Sequence, residues 1–139
     1  MNRELKFRVY SPLGKKFLNS YKNKGLSFLN GSDKDMDEFG SYPLDQCFDL
    51  GFIVQQYTGL TDKNGKEIYE GDIVKTIYDD ELSTGAVMYH CELGAYRIKT
   101  KKHLLPIVTH RFVEDKPIGL ITVADKVIGN IFENPELLT

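Results

Sequence analysis

Apolar and polar side chains alternate one for one at the start of this chain. In "ELKFRVY", Leu5, Phe7 and Val9 fall on one side and Glu4, Lys6 and Arg8 on the other, which is the period of a half-buried strand. Pro12 and Gly14 in the following "SPLGKKF" predict a turn into a second strand. From Ser20 to Leu50 the alternation fades. The Gly, Ser, Asp and Pro of "NGSDKDMDEFGSYP" predict a surface excursion there, with one short strand near "LSFL".

"FIVQQYTGL" restores the strand pattern with β-branched and aromatic residues, ending near Gly59. In "TDKNGKE", Asn64-Gly65 readily takes the positive φ angles of a tight hairpin turn. "EIY" is the return strand. Gly71 in "EGD" permits a second sharp turn, Asp72 is placed to accept backbone hydrogen bonds across it, and "DIVKTIYD" is the next strand.

Further on, Val87, Tyr89 and Cys91 share a face, Glu92-Leu93-Gly94 turns the chain, and Tyr96, Ile98 and Thr100 alternate on the way back. "IGLITVADKVIGNIFE" predicts two short strands around a turn at Ala124-Asp125, with Gly129 marking a bulge or bend. In "ENPELLT", Asn134 is placed to cap and Pro135 to begin one helical turn, which would fold Leu137 and Leu138 onto the core. The chain carries no heptads, no long amphipathic helix and no fixed-period repeat. Many short strands joined by glycine turns make it mainly β, a small barrel or sandwich.

Composition narrows this. At 139 residues the chain is long enough for one domain with a core and short for two. A net charge of −2 gives no global attraction to nucleic acid or anionic membrane, so such binding would need a local patch. Cys47 and Cys91 are too few for a disulfide scaffold and lack the paired spacing of a zinc site. Both read as buried thiols. The N-terminus has no apolar signal core, and no apolar run approaches the roughly 20 residues that span a bilayer. The expectation is a reduced, cytosolic protein with no membrane partner.

Several sharper chemistries fail on spacing. Counting Asp62 as the first position of a calcium loop puts Gly65 fourth and Ile73 twelfth, where a glycine sixth and a glutamate twelfth are needed. Gly59 and Gly65 enclose five residues where a phosphate-binding loop has four, and Glu67 stands where Ser or Thr would hold magnesium. His90, Cys91, His103 and His110 are good metal-ligand types, but neighbours on a strand such as His90 and Cys91 point to opposite faces. A Cys91 nucleophile with a distant histidine, or an acid pair of Glu70 and Asp72, has no local support. The chain reads as a protein without catalytic, cofactor or metal site.

Two binding readings remain. Arg97, Lys99, Lys101 and His103 occupy odd positions, so a continuous strand would project them from one face about 6.6 Å apart, with Lys102 and Tyr96 nearby. A cationic track beside an aromatic ring suits single-stranded nucleic acid, although a solvated face or lysine-guarded edge more commonly explains such a run. Tyr57, Tyr69 and Tyr78 are candidate protein contacts, each equally suited to packing.

The central "QYTGLTDKNGKEIYEGDIV", with "RELKFRVYSPLGKKF" before it and "VIGNIFENPELL" after it, resembles the YopX family of phage and prophage proteins. The three segments cover about a third of the chain in order. Tyr10 with Ser11 departs from the aromatic-then-aspartate ending more usual after "KFRV". The resemblance implies an SH3-like barrel with added N-terminal strands and loop insertions, and a bacterial cytoplasm as its setting. It implies no activity, cofactor or functional residue.

The expected organisation is one domain over 1–139: N-terminal strands and a variable loop over 1–52, then a barrel core over 53–139 with an insertion around 100–123. In such a barrel Gly59, Asn64, Gly65, Gly71 and Asp72 serve the tight turns. The expected role is a non-enzymatic accessory protein binding a host or phage protein. Nucleic-acid binding through Arg97, Lys99, Lys101 and Lys102 is the alternative, and an enzyme with a site built on the central motif a distant third. Unpaired strand edges would also permit self-association.

Overall fold

Strand β1 (Phe7–Ser11) forms where the opening alternation places it, and pairs with β2 (Lys16–Phe17) in the register Tyr10↔Phe17. The turn between them closes through Gly14, whose N–H donates to Ser11 Oγ at 3.1 Å, while Lys15 takes the left-handed φ of 50°. The computed structural model describes residues 5–20, 27–29, 41–43, 49–78, 81–107, 112–113, 116–117 and 123–139. Two compact units divide the chain, Met1–Tyr57 and Thr58–Thr139.

In the first unit, β3 (Asn19–Ser20), β4 (Ser27–Leu29) and β5 (Ser41–Pro43) make a three-stranded antiparallel sheet in that order. The stretch expected to hold one strand therefore contributes to three. Two- and three-residue strands are too short to display a period of two, so their side-chain pattern could not reveal them. The other flank of β1 pairs with β6 (Ile53–Thr61), Val9 opposite Val54. A small core gathers on Val9 and Leu18 with Phe7, Phe52 and Val54.

The polar side of β1 is covered too. Arg8 lies over the Phe17 ring at 4.7 Å and its Nε donates to Gln55 Oε1 at 2.8 Å. Tyr10, edge-on to Phe17, and Ser11 are both buried. Leu5 precedes the strand pairing and is 65% exposed, off the apolar face the alternation assigned it.

In the second unit, β7 (Glu67–Tyr69) neighbours β6. Then β8 (Asp72–Tyr78), β9 (Glu81–His90), β10 (Ala95–Lys99) and β11 (Leu104–Pro106) form successive antiparallel pairs. A two-strand pair, β12 (Phe112–Val113) with β13 (Lys116–Pro117), falls within the expected insertion. Strand β14 (Val123–Asn130) returns to the far side of β8, giving the order β11-β10-β9-β8-β14.

One face of this sheet supplies the core: Val74, Val87, Ile98, Leu105 and Val127, joined by Ile68, with Leu60, Tyr78, Tyr96 and Ile107 around them. Each such side chain contributes about 1.5–3 kcal/mol by leaving water. The fold is mainly β, its large sheet curled into a half-barrel. Gly85 marks one tight place in that sheet. A Cβ there would stand 2.6 Å from Ile98 Cγ2 and 2.8 Å from the Lys99 carbonyl oxygen, so only glycine lets β9 and β10 approach as they do.

Several local expectations are corrected. Strand β6 does not end at Gly59; it passes through that residue at φ 86° and continues to Thr61. The expected turn at Ala124-Asp125 is an irregularity within one strand, because the β14–β8 register shifts between Ala124 and Lys126 and again between Val127 and Gly129. Strand β9 stops at His90, so Cys91 opens a 3-10 turn over Cys91–Leu93 that ends at Gly94, φ 59°. Its thiol is exposed rather than buried; Cys47 lies outside the described residues.

The last turn, Pro135–Leu138, is 3-10 with Pro135 leading. Asn134 makes no side-chain cap to it, and instead its Oδ1 accepts the Asn130 N–H at 3.3 Å. Leu137 packs toward Gly129, where a Cβ would be 2.9 Å from Leu137 Cδ1, yet stays 38% exposed. No helix among the described residues is long and apolar enough to cross a membrane.

Candidate functional site

The central motif is bound by its own polar side chains. Asp62 is buried at the base of the β6–β7 turn and receives three backbone N–H groups. Its Oδ1 accepts from Asn64 and Lys66, each at 2.9 Å, and its Oδ2 from Val127 on β14 at 3.0 Å. Burial pushes this carboxyl up. The hydrogen bonds from Val127, Lys66 and Asn64, with the Lys66 charge, outweigh it and hold the pKa below the ordinary value. The turn closes with Gly65 N–H on the Asp62 carbonyl at 3.0 Å.

Gly65 takes φ 80° and Asn64 does not share the positive φ expected of it. The loop is the longer kind in which a single left-handed residue follows an ordinary turn. Asp62 is the residue that sequence reading missed. An aspartate two residues before Asn and three before Gly is the available signal, since Asp side chains readily fold onto the N–H groups that follow them.

The second turn is equally tied. Gly71 stands at φ 82°; its N–H donates to Val87 and its carbonyl accepts from Ile131, at 2.8 and 2.9 Å. Asp72 is buried and its Oδ2 accepts the Tyr69 N–H at 2.8 Å. Thr58 Oγ1 donates to the Ile68 carbonyl at 2.7 Å. The Asp62 and Asp72 carboxylates therefore face main-chain donors.

An open groove of about 640 Å³ lies in the second unit. Tyr78 at the end of β8, residues 81–84 at the start of β9, the 100–103 turn between β10 and β11, and residues 137–139 line it. The 100–103 turn is set by Thr100. Its Oγ1 accepts the N–H groups of His103 at 2.9 Å and Lys102 at 3.3 Å, and its own N–H donates to the His103 carbonyl.

That turn ends β10 at Lys99, so the continuous basic strand face expected over 97–103 does not exist. Arg97 and Lys99 remain on β10, opposite Met88 and Ala86 of β9. Lys101, Lys102 and His103 pass to the groove. Lys101 Nζ donates to the main-chain oxygen of Thr139 at 2.9 Å, and the His103 ring meets Tyr78 at 5.1 Å between centroids.

The groove thus collects Tyr78, Lys101, Lys102 and His103, which the sequence placed in separate readings. It adds Leu82, 64% exposed, which no pattern had singled out. Of the other tyrosines, Tyr57 is buried with the Lys6 ammonium 5.5 Å from its ring, and Tyr69 is half-buried with its hydroxyl donating to Glu67. Among the described residues no three His, Cys, Asp or Glu side chains stand close enough to hold a metal. His110 lies outside the described residues.

The family model for YopX, described as YopX protein, matches residues 6–139. Among solved structures the chain is similar to protein EF1440 from Enterococcus faecalis, with 25% identity, a TM-score of 0.54, and coverage of 99% of this chain and 100% of that one. No curated protein matches it.

Proposed function

Since the chain belongs to the YopX family, we propose that it is a non-enzymatic accessory protein of phage or prophage origin, working in the bacterial cytoplasm by binding another macromolecule, a protein in preference to a nucleic acid. The observation that carries this reading is the composition of the groove. An exposed leucine and a tyrosine ring stand beside lysines and a carboxylate, Glu81. Protein interfaces combine apolar anchors with a polar rim in this way. Single-stranded nucleic acid favours a groove of one cationic sign, whereas Glu81 places a carboxylate beside Lys101 and Lys102 here, and Arg97 and Lys99 stay on β10 outside the groove lining.

The test has two arms on the full chain. Fluorescence anisotropy with labelled single-stranded DNA, duplex DNA and RNA should show no binding at physiological salt. Binding that falls steeply with added salt and disappears in Lys99→Glu/Lys101→Glu would move the function to nucleic acid. Affinity capture from induced or infected cells should retain a protein on the wild type and lose it on Leu82→Glu. Retention of the same protein by both forms would remove the groove from the function.

A further inference from the structure

The groove carries opposite charges from a turn and from the start of a strand. The 100–103 turn brings Lys101 and Lys102; the start of β9 brings Glu81, which follows Asp79 and Asp80 in sequence. The Lys101 ammonium is engaged by the Thr139 main-chain oxygen. Lys102 and Glu81 are both exposed. Leu82 lies next to Glu81 in the chain and is the most exposed apolar side chain lining the groove, with Leu137 contributed by the C-terminal turn.

From this arrangement we infer that the groove binds a protein segment carrying an apolar side chain between an acidic and a basic residue, the acid directed to Lys102 and the base to Glu81. The inference rests on the protein-binding reading above and deepens it. A polyanion gains from Lys101 and Lys102 but is repelled at Glu81. A polycation meets the reverse problem. A segment with both signs satisfies the two together, and its apolar side chain removes Leu82 and Leu137 from water. Like-charge contacts at the wrong end set its direction along the groove.

The experiment is an amide chemical-shift titration of the isotope-labelled full chain with capped hexapeptides. One has a leucine between a glutamate and a lysine, one has only glutamates around the leucine, one only lysines, and one replaces leucine by serine in the mixed-charge frame. The mixed-charge leucine peptide should saturate shifts at Leu82, Ser83, Lys102 and His103. Lys102→Glu and Glu81→Lys should each weaken it about two- to fivefold, within the range of an exposed ion pair. The double variant Glu81→Lys/Lys102→Glu should prefer the peptide with its two charges exchanged, a reversal that damage to the fold would not produce.

Equal binding of the all-acidic or all-basic peptide, or of the serine peptide, would overturn the proposed chemistry while leaving the groove as a protein site. Shifts in no groove residue with any peptide would overturn it as well. In either case the protein-binding reading stands or falls separately, on retention of a captured protein by wild type against Leu82→Glu.

Discussion

Asp62 shows how one side chain can organise three segments of backbone. Its two oxygens serve donors on the β6–β7 turn and on β14, 65 residues away in sequence. Asp62→Ala would leave the buried Val127 N–H without its acceptor, so the expected loss is about 1–3 kcal/mol, read from urea unfolding at pH 7. At Gly71 the issue is conformational. A β-branched residue at φ 82° crowds its own carbonyl. Gly71→Val should therefore lower stability by about 2 kcal/mol or more, and unchanged thermal unfolding would refute that account. The sequence made Gly71 legible because a glycine between charged residues and β-formers has few other uses. Asp62 was not legible, since the donor on Val127 reaches it only through the fold.

For the elements, register and close approach decide what the pattern leaves open. Strand β14 is a single bulged strand because β8 offers it a continuous partner from Asp72 to Ile77. Read alone, "VADK" has the composition of a turn. Gly129 lies opposite Ile73 and under the C-terminal turn, with Asn134 Oδ1 2.7 Å from where a Cβ would stand. Gly129→Ala should push that turn away, costing about 1–3 kcal/mol by overpacking. Amide exchange at residues 134–139 should then quicken more than exchange in β9 and β10. Equal quickening throughout would show that the turn is not held at this point. The basic run 97–103 teaches the converse: it had the spacing of a strand face, and Thr100 ended the strand by capturing two N–H groups.

At the scale of the whole molecule, the stability of the fold should respond to acid through Asp62. Its pKa is lowered on folding, so its stabilisation is complete above the unfolded-state value near 4 and fades as pH falls through the lower folded value. The stability gap between wild type and Asp62→Asn should hold steady from pH 7 to 5 and narrow toward pH 3. A gap that widened toward acid would contradict the assignment. Denaturant curves at those pH values measure it.

The sequence by itself determined the mainly β character, the strands of the central motif, Gly65 and Gly71 in its turns, and the family. Each is written in short-range information: a two-residue period, residue types that suit positive φ, and a long specific motif. Tertiary structure decided which donors reach Asp62, where β6 and β10 end, and which residues share the groove. Those depend on pairing between segments far apart in the chain, where backbone donors and neighbouring side chains compete for the same groups. Tyr78, Leu82 and Lys102 became one surface only when β8, β9 and the turn after β10 were brought together.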